Sequence, residues 1–441
     1  AVGVEALVLN TTGTRNTAVG ATALDANQTG DDNTAIGYGA LGNNTGQKNT
    51  AVGRGALNSN TSRDNSTAVG YYALNGNTTG QENTAVGYIS LQSNTTGQYN
   101  TALGYNTLAT ITTGERCTAI GRAALANCTG SKNTAVGMNC LELSTSGQQN
   151  TAVGQRALVS NTTASDNTAV GNSALDQNTT GTQNTAVGSL ALDANTTASN
   201  NTAIGYACLG ANTTGTSNTA VGRTALESNT TGSQNTAVGL GALDDNNADS
   251  NTAVGYLALN LNTTGTQNTA VGQEAMQNNT TGQYNTAFGA RTFEANTTGS
   301  ANTAIGQFAL PSNTTASNNT ALGYSAFMLN TTAANGTAIG YSCLSANTTG
   351  SFNTGVGYRV LISNTTGFDN TAIGADAGRD VSTGHNLTLL GHDAGRSSSP
   401  TGALTTETDI VCLGDNDVSA LFCADTSISS SDARDKTDVA D

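Results

Sequence analysis

Asn-Thr-Thr returns through this chain at a fixed beat, and Asn-x-Thr is an acceptor pattern for N-linked sugar. The candidate acceptors are Asn77, Asn94, Asn161, Asn178, Asn195, Asn212, Asn229, Asn262, Asn279, Asn296, Asn313, Asn330, Asn347 and Asn364. Two readings stand for this column. It closes turns and stacks amide on amide from one repeat to the next; or, in a host that glycosylates, it is a sugar-coated stripe. A second asparagine column opens Asn-Thr-Ala, as at Asn83 and Asn184, and lacks the third-position hydroxyl of an acceptor.

Other reactive side chains are sparse. His385 and His392, with Asp393 beside them, make a poor metal set and read as a solvated loop, so neither metal nor cofactor is expected. Asp25, Asp176, Asp193 and Asp244 fall in the column after a leucine, where they should face solvent rather than converge as a glycosidase pair. No phosphate-cradling or nucleophile-elbow motif occurs, and no activity on an external substrate is expected. Cys140, Cys208 and Cys343 take alanine positions as small buried fillers. Cys117 and Cys128 are read as replacing an Asn and a Thr; Cys412 and Cys423, outside the array, invite a bridge. Nine tyrosines, Tyr38, Tyr71 and Tyr88 among them, follow one repeated glycine. Such a strip could dock sugar rings, although tyrosine also simply suits strands.

The element that positions these columns is a short repeat. Glycine recurs from Gly3 through Gly20, Gly37, Gly53 and Gly70 to Gly391 in steps of 17, three of them 16. Around it the text is Asn-Thr-Ala-Val-Gly-Tyr-x-Ala-Leu-x-x-Asn-Thr-Thr-Gly. So short a period marks a stacked, quasi-one-dimensional fold. Gly, Asn and Thr-Thr in each unit disfavour a helix, and Thr-Ala-Val-Gly suits a short strand. The shortened repeats lose their residue between the leucine and the next Asn-Thr, which makes that segment the loop; its Asn and Gly favour positive φ. The expected fold is all-β, a parallel β-solenoid or β-roll of about 24 coils of 17 residues. At ~4.8 Å per coil this gives a rod of roughly 110 Å. The residue before each marker glycine is always apolar (Val19, Ile36, Leu103, Phe288), and is expected to point inward. Threonine then shares that inward face.

The net charge of −15 argues against a phosphate-neutralising nucleic-acid binder. No run approaches the ~20 apolar residues of a membrane span. Ala1-Val2-Gly3 is the end of a strand, so a mature, trimmed or partial chain is expected. With one Val and one Leu per coil at ~1.5–3 kcal/mol apiece, against ~1–2 kcal/mol per ordered residue, a lone chain looks under-cored. Association of several chains is expected, preferably three.

The repeat resembles the head repeats of trimeric autotransporter adhesins, left-handed parallel β-rolls in homotrimers, and the repeat regions of phage-type tail fibres. The resemblance covers residues 1 to about 395. After a Ser397-Ser398-Ser399-Pro400 linker, Ser430-Ser431-Asp432-Ala433-Arg434-Asp435-Lys436 resembles the self-cleavage junction of the intramolecular chaperone of phage endosialidases and tail spikes. That resemblance implies Ser431 as nucleophile and Lys436 as its activating amine. The implied organisation is a shaft over 1–395, a short β-rich segment over 396–429 and a chaperone junction over 430–441. The implied function is the shaft of a viral tail fibre in host attachment, at the virion surface or outside the cell, left-handed and homotrimeric. Its partners would be itself and cell-surface glycans or another receptor. The alternatives are a cellular surface adhesin or extracellular filament, or an ice-binding solenoid, the last weakened by inward-facing threonines.

Overall fold

The computed structural model describes residues 1–418; Cys423, Ser431 and Lys436 lie outside them. The described residues contain strands and turns and no helix. They fall in two compact units, one of Ala1–Asn319 and a second that begins at Thr320. Each unit is a parallel β-solenoid with one coil per repeat. In the first, eighteen three-residue strands run from Thr17–Val19 to Thr303–Ile305. In the second, six run from Thr320–Leu322 to Val411–Leu413. Neighbours pair in strict register: Thr185 on Thr202, Ala186 on Ala203, Val187 on Ile204. Identical columns therefore stack, and the strand stack of the first unit is roughly 80 Å long at ~4.8 Å per coil.

The coil 67–83 shows what lies inside. Ala68, Ala73, Leu74, Asn77 and Asn83 are completely buried. Alanine and leucine fill one half of the interior and asparagine the other. The expected inward valine is overturned. In every strand the middle residue is the buried one, and Thr and Val flank it outward. Val19, Leu103 and Phe288 are 39%, 46% and 56% exposed. Alternation fixes the pair, and size chooses the face: opposite the Ala73-Leu74 arc there is room for a methyl and no more. The inner volume is held nearly constant across exceptions. Where the leucine column falls to Gly378, the alanine column of the next coil rises to Leu389, whose Cδ1 would lie 2.8 Å from a Cβ on Gly378. Gly355 is likewise matched by Cys343 and Val360, which crowd the place its side chain would take.

The corners also differ from expectation. Neither Asn77 nor Gly80 of the Asn-Thr-Thr-Gly turn has positive φ. Apart from the marker Gly70, the positive-φ residues of that coil are Tyr72, Leu74 and Glu82, at φ 51°, 50° and 56°. The turn is closed by the asparagine side chain instead, with Asn77 Nδ2 donating to Gly80 O at 2.9 Å. At these corners backbone bonds run from coil to coil, as from Leu74 N to Ser90 O and from Thr78 N to Thr95 O, both 2.9 Å.

The solenoid continues past residue 395. Val411–Leu413 pairs with Thr388–Leu390, and the Ser397–Pro400 stretch is an insertion within that one long coil. Cys412 takes the alanine position of its strand and is buried. It is a core filler, like Cys140.

Candidate functional surfaces

All fourteen acceptor asparagines have no exposed surface. Their Nδ2 atoms, the atoms that would carry sugar, donate instead. Asn178 gives one hydrogen to Gly181 O at 3.0 Å and the other to Asn161 Oδ1 at 3.1 Å, and Asn195 repeats the pattern on Ala198 O and Asn178 Oδ1. The second column does the same work through its carbonyls, Asn184 Oδ1 accepting from Asn201 N at 2.9 Å. A folded coil has no room for a glycan on either column. In the fold Asn77, Asn94, Asn161, Asn178, Asn195, Asn212, Asn229, Asn262, Asn279, Asn296, Asn313, Asn330, Asn347 and Asn364 lie in an interior amide column rather than on an outer stripe. Acceptor patterns on exposed asparagines do exist, at Asn43, Asn65, Asn127, Asn200, Asn318, Asn335 and Asn386, one residue before a ladder position. They depart from the repeat's consensus, so a reading by columns does not find them.

Cys128 also moves. It stands in the ladder column, not a threonine position, and accepts from Asn133 Nδ2 at 3.5 Å.

The two histidines face different neighbours. His385 stacks on Phe368, with ring centroids 4.6 Å apart, while His392 Nδ1 lies 3.3 Å from Asp415 Oδ2. No group of three or more metal-binding side chains occurs among the described residues.

The acids after the leucine are less solvated than expected. Asp176 pairs with Arg156 at 2.9 Å. Asp193 is raised by burial first, then by Asp176 and Glu227. Asp244 is pushed up to about 6 by burial, with Glu227 and Asp245 adding repulsion. They form an axial column, interrupted where Gly210 opens a groove of about 500 Å³ between Asp193 and Glu227. Tyr206 and Ser228 line the same groove. A carboxyl held above its unfolded value stabilises the fold once protonated, a contribution complete below about pH 4 and lost as pH rises through about 6. Asp244→Asn should therefore raise resistance to denaturant at pH 7.5 and leave it unchanged near pH 4. The effect should be below ~1 kcal/mol, because the group is half open to water. An equal shift at both pH values would contradict this.

Tyrosines stack along the coil axis. Tyr71, Tyr88 and Tyr105 sit at 5.3 and 5.2 Å with nearly parallel rings, and Tyr324, Tyr341 and Tyr358 repeat this at 5.5 Å. Within each stack the middle ring has both faces against its neighbours.

One surface remains continuous. Thr and Val-like side chains alternate on the outer face of every strand of the first unit, without a single charge in either column, on a chain of net charge −15. Valine-column side chains such as Ile36 and Ile204 are 40% exposed. No protein-family profile matches the chain, and no curated protein matches it in sequence.

Proposed function

We propose that the chain is a structural fibre, the shaft of a viral tail fibre or similar attachment appendage, in which copies associate side by side through the Thr-x-Val face. The observation that carries this reading is the outward, uncharged aliphatic column, kept in register through eighteen strands. Exposed apolar surface of that extent marks an interaction site. Summed over the first unit it comes to roughly 1,000 Å² per copy, against about 800 Å² per partner in a standard interface. Its period selects the partner, since another copy repeats at the same spacing and stays in step over many coils. A homotrimer is the favoured stoichiometry, from the resemblance to trimeric fibres.

A second reading rests on the same face. Its threonine hydroxyls point outward, so the objection to an ice-binding solenoid falls, and rows ~4.8 Å apart could order water on a flat sheet. Sedimentation separates the two. The wild-type particle should exceed the 44.0 kDa of one chain by a whole multiple. Val170→Glu, Val187→Glu and Ile204→Glu together should leave the fold intact, because these side chains point out, and weaken association roughly 100-fold or more. A wild-type chain that stays single and depresses the freezing point would sink the fibre reading in favour of ice binding.

A further inference from the structure

The two interior amide columns both give way to cysteine at one place. Among the described residues each column carries cysteine once, at Cys117 in the Asn-Thr-Ala column and at Cys128 in the Asn-Thr-Thr column. In an ordinary coil the corresponding asparagines meet at a single carbonyl, Asn167 and Asn178 donating to Gly181 O at 2.9 and 3.0 Å, and the shortened coil of Asn33 and Asn44 keeps this at Gly46 O, both at 2.9 Å. The cysteines keep that meeting point. Cys117 Sγ lies 3.4 Å and Cys128 Sγ 3.6 Å from Gly130 O. Both residues are completely buried. The remaining cysteines of the first unit, Cys140 and Cys208, stand singly in the alanine column on the other side of the interior.

We propose that Cys117 and Cys128 close a disulfide across the interior of this coil, a covalent staple in place of two amide hydrogen bonds. A thiol is a weak donor, so leaving the Gly130 carbonyl forfeits little. A bond of about 2.05 Å between the sulfurs joins residues that already share one carbonyl. The oxidant is a small-molecule disulfide. The thiolate of one cysteine attacks it, forming a mixed disulfide and expelling one thiolate. The second cysteine's thiolate then attacks the protein sulfur and expels the other. Two protein thiols become one disulfide, the oxidant becomes two thiols, and the two protons end on them. Closure belongs to folding rather than to the finished coil, because burial shields both sulfurs and pushes Cys117 up to about 12. The bond removes conformations from the unfolded chain and so favours this coil over its opening.

The sequence provides a direct readout, since Arg116, Arg122 and Lys132 place the two cysteines on separate tryptic peptides, Cys117–Arg122 and Ala123–Lys132. The full chain is folded with oxidised glutathione, quenched in acid, denatured, alkylated and digested. The two peptides should appear linked, two hydrogens lighter than their sum, and separate on reduction. Cys117→Asn and Cys128→Asn restore the ladder consensus and should fold. Each should abolish the linked species and leave the other thiol alkylated. Recovery of both wild-type peptides separately alkylated overturns the staple, and so does a link from either cysteine to Cys140 or Cys208.

Discussion

Gly137→Ala will open the solenoid around its own coil. Gly137 has φ 139°, a conformation closed to residues with a Cβ, and an added Cβ would lie 2.5 Å from the carbonyl oxygen of Gly154 and 2.7 Å from its carbon. Neither atom can yield, because both belong to the marker glycine of the next coil, which is packed the same way on the one after it. The expected loss is about 3 kcal/mol, at the upper end for single substitutions. It is local, since each coil contacts only its neighbours. Limited trypsin digestion should report it at Arg122, Lys132 and Arg156, with cleavage on the order of 100-fold faster if it follows the opened population. Gly210→Ala is the control. It lies in the column that carries Asp193 and Glu227 in the neighbouring coils, its φ is not in the left-handed range, and the nearest atom to an added Cβ is Ala207 O at 3.2 Å. Wild-type trypsin resistance in Gly137→Ala would refute the argument.

The contrast between those glycines shows what the residues make legible. Periodicity alone establishes one coil per repeat, the Thr-Ala-Val strand and its parallel stacking, and all three stand. The inward face is a different matter, because apolar identity is a poor mark of burial in so thin a coil. Tolerance of size is the better mark. The column of Val19, Ile36, Leu103 and Phe288 accepts any bulk and so has space around it. The alanine column hardly varies, and where it does, at Gly355 and Leu389, a neighbour changes to match. Leu74 in a left-handed corner lies beyond sequence reasoning, since leucine gives no local reason for positive φ; only the need to turn the chain while pointing that side chain inward puts it there. The Cys117–Cys128 meeting is hidden for a similar reason. Two residues eleven apart become neighbours only once both asparagine columns are known to face each other across the interior.

Interior placement of the ladder makes the route of biosynthesis decisive. An oligosaccharyl transferase acts on the chain as it emerges, before any coil has closed, and at that stage Asn178-Thr179-Thr180 and its thirteen counterparts are all presented as acceptors. A sugar on Asn178 Nδ2 replaces a hydrogen that the fold donates to Asn161 Oδ1 or Gly181 O. The lost bond accounts for about 1 kcal/mol. Steric exclusion costs more, since a glycan cannot enter an interior where this residue has no exposed surface. Each modified coil must therefore stay open, and its neighbours lose the backbone bonds they share with it. Directed into the secretory pathway of an N-glycosylating host, the chain should be modified, retained and degraded. The same gene expressed in the cytosol, or in the secretory pathway with glycosylation blocked, should yield folded, trypsin-resistant protein. The exposed acceptors Asn43, Asn65, Asn127, Asn200, Asn318, Asn335 and Asn386 supply the internal comparison, because a sugar there leaves the ladder whole. Any folded molecule that escapes should carry glycans at those positions and none at Asn178, Asn195 or Asn212. Folded, secreted protein with sugars mapped to the ladder would show that these amides do not face inward.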